Sequence, residues 1–218
     1  MRKLIIAIDG PSGAGKGTVA RSVSRALGYR HVDTGAMYRA VGWKAGLDQI
    51  PLDDEAAVAD LAERAEIVVE DDVVSIDGHD VTRAIRTPEI DRAATAVARL
   101  PRVRRALVRR QREAGRGGGV VMEGRDIGTV VFPEADVKIY LDASAEERAR
   151  RRAADPAHSG GAAGRAAVAE AIEARDRSDT TRTASPLTLA PDAVRIDTTD
   201  LSVQQVVDRV MRIVRAKL

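Results

Sequence analysis

Gly10-Pro11-Ser12-Gly13-Ala14-Gly15-Lys16-Gly17-Thr18 follows directly on a short apolar run, residues 4–9. It matches G-x-x-x-x-G-K-[ST] as far as Lys16, then places Gly17 where a hydroxyl side chain usually stands. The run before it reads as a buried strand. The residues after it, from about Lys16 to Leu27, repeat apolar side chains at helical spacing (Val19, Val23, Ala26, Leu27), with Gly28 just beyond. A strand, a Gly-rich turn and a helix start, in that order, make a phosphate cradle. Backbone N–H groups converge on the oxygens, the helix N-terminus faces them, and one Lys adds charge. The loop implies a nucleoside triphosphate but not its fate, because switches, motors and small-molecule kinases all carry one.

Outward from the loop the chain keeps alternating strands and helices. Residues 119–123, 137–142 and 193–197 read as strands, and helical patterns separate or follow them. Ser144-x-x-Glu147 and Ser202-x-x-Gln205 look like capping boxes, and the last helix repeats Val203, Val206, Val207, Val210, Ile213 and Val214. This order argues for an α/β fold, a parallel sheet with helices on both faces. Two segments break the rhythm. Residues 66–78 alternate like a hairpin around Asp71-Asp72, and residues 153–167 are Ala/Gly-rich and read as a lid. Both decorate one domain, residues 1–218.

The chain has 218 residues, 44 % hydrophobic, which suits one well-cored globular domain. Aromatic residues are 2 %, too few for the stacking platforms of single-stranded nucleic-acid binders. A net charge of +2 is also small for such a partner. Cysteine is absent, which excludes disulfides, thiolate metal sites and a Cys nucleophile. The N-terminal apolar run is too short for a signal segment or a membrane span, so the expectation is a soluble, cytoplasmic protein.

Polar clusters surround the loop. Asp33, Thr34 and Arg39 lie at the start of a predicted helix running from Gly35 toward Gly46, with Thr34 as its expected N-cap. On 101–112, Arg102, Arg105, Arg109 and Arg112 share a solvent-facing side, whereas Arg104 and Arg110 lie beside or within the apolar stripe; spacing alone leaves both open as anion contacts. On 168–182 one helix face passes from Val168 and Ile172 to Arg175, Asp179 and Arg182, an inward face that turns polar and implies a cleft. Gly124, Arg125 and Asp126 sit at the carboxyl end of a strand, where open α/β sheets bind ligands. Asp126 there either orders a metal's water shell or pairs with a ligand-holding Arg. Asp142 ends another strand, as a site residue or as a structural one. Arg148, Arg151 and Arg152 either close over a triphosphate or are solvated helix charge. The three histidines make no triad or metal spacing. A phosphate acceptor needs no base, since a phosphomonoester is largely dianionic near neutrality. Positioning and charge neutralisation do most of that chemistry.

Taken together and in order, GPSGAGKGT, DTGAMYRA, PRVRRALVRRQR, GRDIGTVVFP, VKIYLDAS-x-EER and Arg175-x₃-Asp179-x₂-Arg182 resemble the bacterial cytidylate kinases, nucleoside monophosphate kinases, over nearly the whole chain. The resemblance implies transfer of the γ-phosphoryl group of ATP to CMP or dCMP with Mg²⁺, by a monomer whose partners are small molecules. It implies a monophosphate-binding insert at about 40–100 and a lid at about 153–167. Residues 10–18 would bind the ATP phosphates. Thr34, Arg39 and Arg125 would sit near the acceptor phosphate, with Asp33 also among the substrate-binding residues. Thr95, Arg104, Asp126, Arg175, Asp179 and Arg182 would surround the nucleoside and its phosphate. Lys16, Arg125, Asp126 and Arg148 are the expected catalytic groups, with no protein metal site. The GKGT ending is shared with other monophosphate kinases. Gly17 cannot ligate Mg²⁺, which leaves nucleotide oxygens, water and the Thr18 hydroxyl. Thr34 and Thr95 stand where Ser is expected, and both keep a hydroxyl. Two rival readings are another nucleoside monophosphate kinase and a nucleic-acid-dependent ATPase using the Arg-rich helix.

Overall fold

β1 (Ile5–Asp9) pairs on both sides with parallel strands, so its side chains alternate between two cores rather than between core and water. The computed structural model describes residues 3–70, 73–155 and 164–218. β1 is followed by α1 (Lys16–Leu27), β2 (Arg30–Asp33), α2 (Thr34–Leu47) and α3 (Glu55–Arg64). A small sheet comes next: β3 (Ile67–Glu70), β4 (Val73–Ile76) and β5 (His79–Asp80). After it come α4 (Pro88–Val97), α5 (Pro101–Gly115), β6 (Val120–Gly124) and a π-helical turn, Ile127–Val131. The chain ends with β7 (Val137–Asp142), α6 (Ala145–Ala154), α7 (Arg165–Thr181), β8 (Val194–Asp197) and α8 (Val203–Arg215).

The main sheet is parallel, in the order β2-β6-β1-β7-β8. Ile6, Ile8 and Val121 face α1 and α8; Ala7, Val120 and Met122 face the opposite core, which α2 to α5 complete. The expected α/β architecture is therefore present, with the small antiparallel sheet between α3 and α4.

Several expectations need correction. β2 was not anticipated, because Arg30-His31-Val32-Asp33 is short and half polar. The hairpin at 66–78 gains a third strand, β5, and its tip, Asp71-Asp72, lies outside the described residues. Most of the expected lid, 156–163, lies outside them too, while α6 and α7 take its flanks. Ala26 and Val203 are exposed rather than in their helices' apolar faces. Ser202 makes the full capping box with Gln205. Ser144 makes only half of one, because Glu147 turns its carboxylate to Arg150 and Arg151. Thr34 is not the N-cap of α2: the Asp33 carboxylate accepts from Ala36 N at 3.1 Å, and Thr34 begins the helix.

The consequence for function lies at the carboxyl edge of the sheet. β1 delivers the Gly-rich loop there, β2 delivers Thr34, and β6 delivers Arg125 and Asp126, all side by side.

Candidate active site

The loop after β1 is held open by what touches it. Gly10 has φ +148°, and a Cβ there would fall on the carbonyl oxygen of Leu141 in β7. Gly13 has φ +79°, with the Cβ of Arg148 where its own would need room. Asp176 accepts from Ser12 N at 3.1 Å, and Arg148, itself paired with Asp176, donates to the Ser12 carbonyl at 3.1 Å. Ser12 is thus gripped at both backbone groups. Arg148 donates also to Ala143 O. In this arrangement it supports the loop from behind rather than reaching over it.

Lys16 is buried at the start of α1 and donates to Pro11 O at 2.8 Å. Burial, then repulsion from Arg125, lowers its pKa to about 7. Beneath the loop, Asp9 accepts from the backbone N–H groups of Ile127 and Gly128 at 2.9 and 2.7 Å. Burial nonetheless raises its carboxyl to about 6. Glu123, paired with His31 at 3.0 Å, lies against Gly17: the three nearest atoms to a Cβ at that position all belong to its carboxyl group. A cleft of about 500 Å³ opens beside the loop between Gly13, Thr18, Arg151 and Thr198.

A second, tighter cleft of about 40 Å³ lies where β6 ends and α2, α4, α5 and α7 converge. It brings together Thr34, Thr95, Arg104, Arg125, Asp126, Arg175, Asp179 and Arg182, eight residues of the expected site from five separate elements. Arg104 is 3 % exposed, pairs with Asp126 and lies over the Tyr38 ring at 5.3 Å. Arg182 pairs with both Asp126 and Asp179, at 3.7 and 3.4 Å. Arg125 donates to Asp179 at 2.9 Å. Burial works against the Asp179 charge, but Arg125, Arg175 and Arg182 hold its pKa below the usual carboxylate value. Burial, then Arg125, lowers Arg175 to about 10. Thr34 donates to the Glu123 carbonyl at 2.7 Å, fixing the start of α2 to the end of β6.

Of Arg104 and Arg110, Arg104 lines the cleft, while Arg110 donates to Glu63 O. Asp126 pairs with Arg104 and Arg182; among the described residues no group of three His, Cys, Asp or Glu side chains has metal-site geometry. Asp142 is structural, since it accepts from Ala143 N and Arg195. Asp33 and Arg39 lie just outside the tight cleft, paired with each other at 3.5 Å. Arg151 is committed to Glu147 and Thr198, and Arg152 to Asp91.

Sequence reasoning missed Asp91, the hub on α4. Its carboxylate pairs with Arg39 at 3.3 Å, Arg175 at 3.0 Å and Arg152, joining α2, α7 and α6. Asp91 reads in the sequence as an ordinary acidic residue in a helix's first turn. Only the convergence of three distant arginines reveals it. Asp9 and Glu123 were missed for the same reason: each acts through partners more than thirty residues away.

Comparison with known proteins gives the family. The family model described as cytidylate kinase matches residues 6–216. A cytidylate kinase of Desulfitobacterium hafniense (strain Y51) is 47 % identical over 100 % of this chain and 95 % of its own. One of Pelotomaculum thermopropionicum is 49 % identical over 97 % and 96 %. Among solved structures, TT1252 from Thermus thermophilus shares the fold, at TM-score 0.50 and 21 % identity over 100 % of this chain and 99 % of that one. No helix among the described residues is long and apolar enough to cross a membrane. With a family match spanning nearly every residue and relatives almost half identical from end to end, the chain belongs to the cytidylate kinase family.

Proposed function

We propose that the protein transfers the γ-phosphoryl group of ATP to the phosphate of CMP or dCMP, giving CDP or dCDP. The observation that carries this is the presence of two clefts at the carboxyl edge of the sheet, with the buried Lys16 in the field of Arg125 and Arg175. One is lined by a phosphate loop, and the other by a buried Arg104–Asp126–Arg182 cluster. Cytosine offers ring acceptors and one exocyclic amino donor, and the cluster offers guanidinium donors beside a carboxylate acceptor. The buried Arg104 Nε has no hydrogen-bond partner among the described residues, which suits a donor reserved for a ligand.

In this reading residues 10–18 wrap the ATP phosphates and Lys16 neutralises charge on the transferred group. Arg39, Arg125 and Arg175 hold the acceptor phosphate in line, while Asp33 and Thr34 fix the start of α2 and Asp179 orients Arg125 and Arg182. Thr95 lines the cleft wall, Asp126 faces the base, and Arg148 acts as the brace of the loop. The acceptor phosphate is already a dianionic nucleophile, so alignment and charge stabilisation carry the reaction.

Mg²⁺ fits these residues in a limited way. Gly17 offers no ligand; the Glu123 carboxylate, which lies against Gly17, and the Thr18 hydroxyl are the groups that would hold the ion's water shell. Such a site, one carboxylate plus nucleotide oxygens and water, is usual for Mg²⁺. When bound, the ion neutralises the triphosphate.

A coupled assay of ATP with CMP, dCMP, AMP, GMP and UMP tests the proposal. CMP and dCMP should be strongly preferred; a clear preference for any other acceptor would sink it.

A further inference from the structure

α5 carries a second cationic face that the tight cleft does not use. Arg105, Arg109, Arg112 and Arg116 recur every three or four residues, so they stack along one side of the helix and just past its end. They line a groove of about 810 Å³, larger than either cleft of the site. Arg112 spends its guanidinium on the carbonyls of Val130 and Val131. The guanidiniums of Arg105, Arg109 and Arg116 have no hydrogen-bond or ion-pair partner among the described residues. Glu113 is the one carboxylate in the lining.

The groove also has an apolar surface. Val108 and Phe132 line it, the Phe132 ring lying against Gly115 of α5 where a Cβ would not fit. Its walls are shared with the acceptor side. Arg104 borders both the groove and the tight cleft. Ser185 lines the groove, and its carbonyl accepts from Arg182 Nε at 2.7 Å. Both arginines that pair with Asp126 therefore touch a groove wall.

We propose that this groove is an effector site for a nucleoside triphosphate, separate from the two substrate clefts. Arg105, Arg109 and Arg116 hold the phosphates, Val108 and Phe132 take the base face, and occupancy alters acceptor binding through Arg104 and Arg182. The volume suits one such molecule. A nucleic-acid strand is the poorer fit, because the net charge is only +2 and Ser185 and Glu113 interrupt the basic stripe.

The test uses wild-type protein saturated with CMP and a non-hydrolysable ATP analogue, titrated with CTP by calorimetry. One further equivalent should bind. The Arg105→Gln/Arg109→Gln variant, altered only at exposed residues and active at the wild-type rate without CTP, should bind it at least about tenfold more weakly. CTP should shift the KM for CMP in the wild type but not in the variant. Absence of the further equivalent, or equal affinity in both proteins, overturns the site. Inorganic tripolyphosphate or a short RNA binding more tightly than CTP overturns the ligand class. The effect on KM rests on the kinase reading, whereas the calorimetry needs no turnover, so the two failures are distinguishable.

Discussion

Arg125 Nε lies 2.9 Å from Asp179 Oδ2, and this ion pair joins the end of β6 to the polar face of α7. It puts a guanidinium within the field of Lys16 and a carboxylate within the field of Arg182. The phosphate loop and the Arg104–Asp126–Arg182 cluster thus meet through one pair of side chains, and substitutions on its two sides should differ in kind.

Lys16→Ala should lower kcat by roughly 10²–10³-fold for every acceptor while leaving CMP affinity unchanged, as expected for a lost electrostatic stabiliser. Arg182→Ala should raise the KM for CMP by about tenfold or more, because it leaves Asp126 and Asp179 short of a buried partner. Steady-state kinetics with CMP and ATP varied in turn checks both. Equal CMP affinity in wild type and Arg182→Ala would overturn the placement of the base.

Lys16 titrates near pH 7 in the folded protein, against an ordinary 10.5. Between these values the unfolded chain binds the extra proton, so this group's contribution to stability rises with pH across that window. Below about pH 7 both states are protonated and the full cost of the buried charge is present. Triphosphate oxygens restore the ammonium form, so ATP binding at pH 8 should take up close to one proton, and at pH 6 almost none. Calorimetry in buffers of different ionisation enthalpy measures this; a Lys16→Ala variant should lose the uptake.

Asp91→Asn should free three guanidiniums from their common anion. The KM for CMP should rise while the KM for ATP stays near wild type, and urea unfolding should show a loss of about 1–3 kcal/mol. An unchanged CMP KM would mean that Asp91 only ties helices together.

Gly10→Ala should cost more than about 3 kcal/mol, because the new Cβ meets the Leu141 carbonyl and the backbone is unfavourable for Ala. Thermal unfolding should show the loss directly, with Gly28→Ala as a milder control. Gly28 also has positive φ, but its Cβ would meet nothing within 4 Å.

What the sequence revealed depended on range. β1, α1 and the loop were legible because a strand, its turn and its helix are contiguous, and the Arg175–Asp179–Arg182 face because helical period alone aligns it. Arg104 could be separated from Arg110 only by the family resemblance; in the structure Arg104 lines the tight cleft and Arg110 does not. β2 stayed hidden because four residues with a buried His carry no clear alternation. Asp91 stayed hidden because its partners Arg39, Arg152 and Arg175 come from three other helices, and no local pattern records such a meeting.

The arginines of the acceptor cleft are not waiting bare. Asp91, Asp126 and Asp179 already pair with them, three carboxylates shared among six guanidiniums (Arg39, Arg104, Arg125, Arg152, Arg175 and Arg182), so about half of the positive charge is balanced inside the protein. Arrival of an anionic nucleotide would therefore complete a charge balance that the protein has half made, its oxygens joining carboxylates already in place. Acceptor affinity should accordingly fall as ionic strength rises, but less steeply than six unpaired arginines would require.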